Sequence, residues 1–141
     1  MKIYRIIISL VLPGLAIFIA AFAQHVLTLV WPGVREITFG EISADSYFFV
    51  LCSGFLCFFA GYILRRDVGG RPSFLCAVIT PLGFMCLFLW ATIGWPMLEL
   101  DAKIAWLRPI TLISIAAAIV PLLGVALGWS NARKRTALTV S

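Results

Sequence analysis

The side chains in this sequence that could do chemistry are one histidine, four cysteines and six acids, and their spacing limits what they can do. His25 follows Gln24 inside a long apolar run, about a turn and a half of helix before Trp31. One imidazole cannot ligate a haem on both faces, and a metal ion there needs further donors such as Glu99 or Asp101. The simpler expectation is that Gln24 and His25 hydrogen-bond to a neighbouring helix or face a wet outer cavity, with no cofactor and no metal. The cysteines, Cys52, Cys57, Cys76 and Cys86, all lie in apolar runs without a C-x-x-C pair, so a disulfide framework is not expected. Cys52 and Cys86 come out at similar depth in an antiparallel hairpin, a geometry a thiol and quinone redox site could use. Small packing residues are the plainer account of them. Five of the acids, Glu36, Glu41, Asp45, Glu99 and Asp101, lie between apolar runs and are expected to be solvated loop charge.

The sixth acid belongs to a charged island, Arg65-Arg66-Asp67-Val68-Gly69-Gly70-Arg71. A Lys or Arg at the centre of a membrane span costs about 2.5 to 3.5 kcal/mol on insertion scales, so the island belongs in water. Gly69-Gly70 supplies a reversal and Pro72 stands at a helix-start position, which predicts a tight turn between antiparallel spans.

Composition places the rest of the chain in lipid. Of 141 residues, 62% are hydrophobic and 12% charged, and the mean hydropathy of +1.07 lies outside the range of soluble domains. The net charge of +5 does not point to nucleic acid, because the basic residues sit at the ends of apolar runs and not on a polar face with interleaved aromatics. Four charge-poor runs, 6–30, 47–64, 72–95 and 109–130, each come close to the ~20 residues that cross the hydrocarbon core. They are continuously apolar and do not alternate with period two, so helices are expected and a barrel is not. The expected fold is an all-α integral membrane protein: one four-transmembrane-helix bundle with helices at about 3–30, 47–64, 72–95 and 109–130 and a mobile tail at 131–141.

Orientation follows from the basic residues. Lys2, Arg5, Arg65, Arg66, Arg71, Arg133, Lys134 and Arg135 fall on one side against Arg35, Lys103 and Arg108 on the other, which predicts cytoplasmic termini and two short outer loops. Ala21-Phe22-Ala23 resembles a signal-peptidase site, but the apolar run continues past it, and a retained first helix is expected. In the first outer loop, residues 34–42 are rich enough in β-branched side chains for a short strand or hairpin, and Ser43, Asp45 or Ser46 is expected to cap the second helix. The second outer loop has Met97, Leu98, Ile104 and Trp106 beside its charges, which suits a short interfacial helix.

Small residues mark the helix-packing faces. Ser53, Cys57 and Gly61 recur every four residues on the second helix, and Ala116, Gly124 and Gly128 share one register on the fourth. The last two form a GxxxG pair suited to a close contact inside the bundle or between subunits. Pro13-Gly14, Pro81 with Gly83, and Pro121 favour kinks.

No Asp, Glu, Lys or Arg lies inside any apolar run, which counts against ion-coupled transport and proton relays. The expected function is non-catalytic: an accessory or assembly subunit of a larger membrane complex or homo-oligomer, in a bacterial inner membrane, with lipid and another integral membrane protein as partners and no nucleic acid. The alternative is a small transporter, channel or lipid flippase in which an oligomer lines a path with Gln24, His25, Thr28, Thr80, Thr92 and Ser114; a thiol and quinone redox protein is the third reading. Arg65, Arg66, Arg71, Arg133, Lys134 and Arg135 are the expected lipid headgroup contacts.

Overall fold

In the computed structural model, which describes residues 3–40, 42–93, 113, 115–117 and 119–132, the apolar runs are helices. Helix α1 spans Ile3–Val30, α2 Ala44–Ile63, α3 Arg71–Ile93 and α4 Ile115–Ala132. Three segments, Ile3–Val30, Ala44–Val68 and Ile115–Ala132, are long and apolar enough to cross a membrane. The second outer loop, with Glu99, Asp101, Lys103 and Arg108, and the basic tail, with Arg133, Lys134 and Arg135, lie outside the described residues.

Between α1 and α2 the chain makes a 3-10 turn at Pro32–Arg35 and a minimal antiparallel hairpin, β1 Thr38–Phe39 with β2 Ile42–Ser43, in which Thr38 pairs with Ser43 and Phe39 with Ile42. The expected hairpin is therefore present, but Val34 and Arg35 belong to the turn before it. Pro32 opens that turn, where its missing amide costs no internal hydrogen bond. Helix α2 then starts at Ala44, three residues before the apolar run at 47. This corrects the expected place of Asp45: it lies in the first turn of α2 and is buried.

The charged island also differs from the simple turn read from its composition. Helix α2 does not stop before it but widens into a π-helical turn, Leu64–Val68, closed by the Gly69 amide donating to the Leu64 carbonyl at 2.8 Å. Leu64 and Val68 reach the core, Arg65 is half-buried, and Arg66 and Asp67 are exposed. The reversal itself is made by Gly69 and Gly70, whose φ angles of +62° and +89° only glycine adopts cheaply.

The helices bury small residues and expose large ones. The buried positions of α1 are Ser9, Pro13, Ala16, Ile17 and Ala20, a single face, while Phe18 and Phe22 on the opposite side are 66% and 62% exposed. This is the reverse of a soluble helix, and it suits packing in which backbones approach closely and bulky side chains meet lipid. Pro13, Pro81 and Pro121 are all fully buried. Each removes one backbone donor, and neighbouring helices can re-satisfy the freed carbonyls. Helix α1 packs against both α2 and α3, and one core joins Ala16 and Ile17 of α1, Cys57 of α2, Leu64, Ala77 of α3 and Val125 of α4.

The closest helix contact is between α2 and α4. A Cβ placed on Gly128 would collide with the Phe58 carbonyl and come within 2.9 Å of the Tyr62 nitrogen; one on Gly124 would collide with the Gly54 carbonyl and come within 3.1 Å of the Phe58 nitrogen. From the other side, a Cβ on Gly61 would meet the Val125 carbonyl, and one on Gly54 the Val120 side chain. The two numberings advance together, Gly54 against Gly124 and Phe58 against Gly128, so α2 and α4 run parallel. The glycine pair of α4 is thus spent inside the bundle. Gly128→Leu is expected to lower the thermal stability of the purified protein in detergent by about 1 to 3 kcal/mol or more, because backbone must move to admit the side chain. Gly83, which has open space around it among the described residues, should accept leucine within about 0.5 kcal/mol. Equal melting shifts for the two variants refute the seam.

Candidate functional site

The most connected polar group lies where α1 ends and α2 begins. The Gln24 side-chain amide of α1 donates to Oδ2 of Asp45 at 3.1 Å, and the Arg35 guanidinium approaches the same oxygen at 3.8 Å. Three segments, α1, the 3-10 turn and α2, therefore meet at one carboxylate. Its charge is favoured at this position because the first-turn amides of α2 lack helical partners and carry partial positive charge. The Arg35 contact adds little, since that side chain is 67% exposed and water screens it. The Gln24 bond matters more, being half-buried and charge-assisted.

Ser43 stands at the N-cap of α2, yet its hydroxyl makes no capping bond; it pairs with the Ser46 hydroxyl at 3.0 Å. The Ala44 amide, donating to the Ile37 carbonyl at 2.8 Å, ties the start of α2 back to the residue before the hairpin. Oδ1 of Asp45 is buried without a hydrogen-bond partner among the described residues.

The other polar side chains of the helices are satisfied close to home. Ser9 donates to the Arg5 carbonyl at 2.7 Å, Ser53 to Val50 at 2.9 Å and Thr28 to His25 at 2.8 Å, each bonding back along its own helix. Thr80 reaches across, donating to the Leu10 carbonyl of α1 at 3.0 Å. That bond falls beside Pro13 and Gly14, where α1 can be approached closely: a Cβ on Gly14 would stand 3.3 Å from the Thr80 methyl. Gln24, His25 and Thr28 share the last turns of α1, with His25 exposed, whereas Thr80 crosses α1 near Leu10, far from them. Ser114 and the side chain of Thr92 lie outside the described residues.

The cysteines are all free, Cys57 buried and Cys86 exposed. Helices α2 and α3 each pack on α1 more closely than on one another, so the hairpin that would align Cys52 with Cys86 is not a tightly packed pair. Among the described residues, no group of three or more His, Cys, Asp or Glu side chains comes together in a way that could hold a metal ion.

At the other end of the bundle the π-turn brings Arg65 over the ring of Trp129, with the guanidinium carbon 5.2 Å from the ring centroid. Phe74 of α3 packs against the same indole, centroids 5.3 Å apart. Arg66 meets Asp67 at 3.6 Å in an exposed pair, and Arg71 is exposed. Of the small residues singled out on α2, Ser53, Cys57 and Gly61 are all buried, as are Gly124 and Gly128 on α4, while Ala116 is half-buried. Gly54 was missed; its seven-residue spacing from Gly61 was the available signal. No local spacing could have paired Arg65 with Trp129.

No family model, curated protein or solved structure matches this chain.

A double-mutant cycle tests the clasp at Asp45. Gln24→Ala and Asp45→Ala should each destabilise the protein, with a coupling of about 1.5 kcal/mol between them in detergent melts. Additive effects mean that the 3.1 Å contact carries no energy.

Proposed function

We propose that this chain is a non-catalytic accessory or assembly subunit that packs beside another integral membrane protein, or beside its own copies, in a bacterial inner membrane. In this reading it crosses the bilayer four times, α3 included, with both termini in the cytoplasm. The parallel run of α2 and α4 supports that path, because the chain must return between them. The clustering of Arg65, Arg66 and Arg71 at one end of the bundle supports the orientation.

The observation that carries the subunit reading is how the polar side chains are used. Ser9, Ser53 and Thr28 bond to their own helices, Thr80 to α1, and Gln24 to Asp45. These bonds join or stiffen helices, and they do not line up into a route or a reacting constellation. What the described residues offer outward is a broad apolar surface, including Phe18 and Phe22 of α1. An oligomeric transport path is the second reading, favoured by Oδ1 of Asp45, buried and without a hydrogen-bond partner among the described residues, at the end of the bundle where Gln24 and His25 also lie.

Affinity purification in a mild detergent, followed by mass spectrometry, separates the two. A stoichiometric integral membrane partner is expected. A homo-oligomer that alone gives selective flux in liposomes would replace the subunit reading with the transport one.

A further inference from the structure

The charges that bracket α2 give its depth in a bilayer. The stretch between Asp45 and Arg65, residues 46–64, contains no Asp, Glu, Lys or Arg and rises about 28 Å at ~1.5 Å per residue, close to the ~30 Å of the hydrocarbon core. Tyr47 stands at the outer edge of that stretch and Phe55 at its middle. Tyr47 is exposed, and so is Leu51, its neighbour one turn further in. This side of α2 is therefore open where the apolar layer begins.

The hairpin of β1 and β2 is held at the same place. The Ala44 amide donates to the Ile37 carbonyl at 2.8 Å, and buried Val34 fixes the turn that precedes the hairpin. The Phe39 ring meets the Tyr47 ring edge to face, centroids 6.0 Å apart, and the Tyr47 hydroxyl donates to the Phe39 carbonyl at 3.4 Å. Tyr47 covers only part of Phe39, which remains 63% exposed. An aromatic ring this open is stabilised where an apolar layer meets a polar one, and tyrosine shares that preference. Arg35 and Glu36, both exposed on the chain just before the hairpin, keep the element at headgroup level. Phe39, Tyr47 and Leu51 are far fewer side chains than the ~20 a side of a stable protein interface, so lipid suits this patch better than an assembly partner.

We infer that the hairpin between α1 and α2 is a membrane-surface anchor: Phe39 enters the boundary between headgroups and acyl chains in the outer leaflet, with the Tyr47 ring as its seat. The inference rests on the membrane-embedded reading proposed above and goes beyond it. The first outer loop lies in the lipid interface and does not stand in water, which leaves other faces of the bundle for assembly.

The test uses the full chain in phosphatidylcholine nanodiscs, with trifluoromethyl-phenylalanine replacing either Phe39 or Phe55 and fluorine NMR as the readout. A nitroxide attached near the headgroup end of a lipid chain should broaden the Phe39 probe at least about threefold more than one at the chain terminus, and the Phe55 probe should show the reverse order. Tyr47→Ala, which removes the seat, should cut the headgroup-nitroxide broadening at Phe39 about twofold. A Phe39 probe that neither nitroxide reaches overturns the anchor, whether water or another protein chain lies against it. Undiminished broadening in Tyr47→Ala overturns the seat. The Phe55 probe separates the two levels of failure. If a water-soluble gadolinium chelate broadens it, the membrane reading falls as well; if only the lipid nitroxides do, a failure at Phe39 sinks the anchor alone.

Discussion

The contact on which the rest of the architecture depends is the approach of α2 and α4 at backbone distance. Between helices in lipid there is no water to expel, so association must come from close van der Waals packing and from the few polar groups that can bond across. Gly54 and Gly61 on one helix, Gly124 and Gly128 on the other, let the backbones meet directly, with the Val120 side chain filling the space over Gly54. Once the two backbones are that close, the positions further along are set. Leu64 and Val125 enter the common core, and Trp129 arrives beside Arg65.

Helix α1 closes the structure from the other side by a different means. Its contact with α3 uses a proline and a glycine in sequence, Pro13 and Gly14, to bring Thr80 within hydrogen-bonding distance of the Leu10 carbonyl. Its contact with α2 is fixed at the far end by the Gln24 bond to Asp45. One helix pair is therefore held where glycines let the backbones meet, and the others combine apolar packing with single polar bonds. Such bonds are worth little in exposed surfaces, but they act here where few competing donors are available.

The two ends of the bundle differ in consequence. At the Asp45 end, the carboxylate sits at the start of α2, bonded to α1 and approached by the turn between them, and the surrounding groups serve mainly to hold elements together. At the π-turn end, Leu64 and Val68, four residues apart, face inward while Arg66 is exposed. π-turns are uncommon, and they tend to occur where a side chain has to be aimed. Here the turn carries Arg65, whose guanidinium carbon stands 5.2 Å from the centre of the Trp129 ring.

Much of this was legible in the sequence. Long charge-free runs can only be helices where the backbone must satisfy its own hydrogen bonds, and the charged island had to leave the apolar layer; both follow from residue type alone. The GxxxG pair of Gly124 and Gly128 announced a close contact, and Gly69-Gly70 a reversal. Three features depended on the tertiary structure. Which helix fills the glycine groove depends on matching Gly54 and Gly61 to it across some 70 residues of chain, a pairing no local pattern encodes. Asp45 looked like solvated loop charge because its burial comes from Gln24, a residue 21 positions away. The contact of Arg65 with the Trp129 ring exists only because α2 and α4 run parallel, which brings two residues distant in sequence to the same depth.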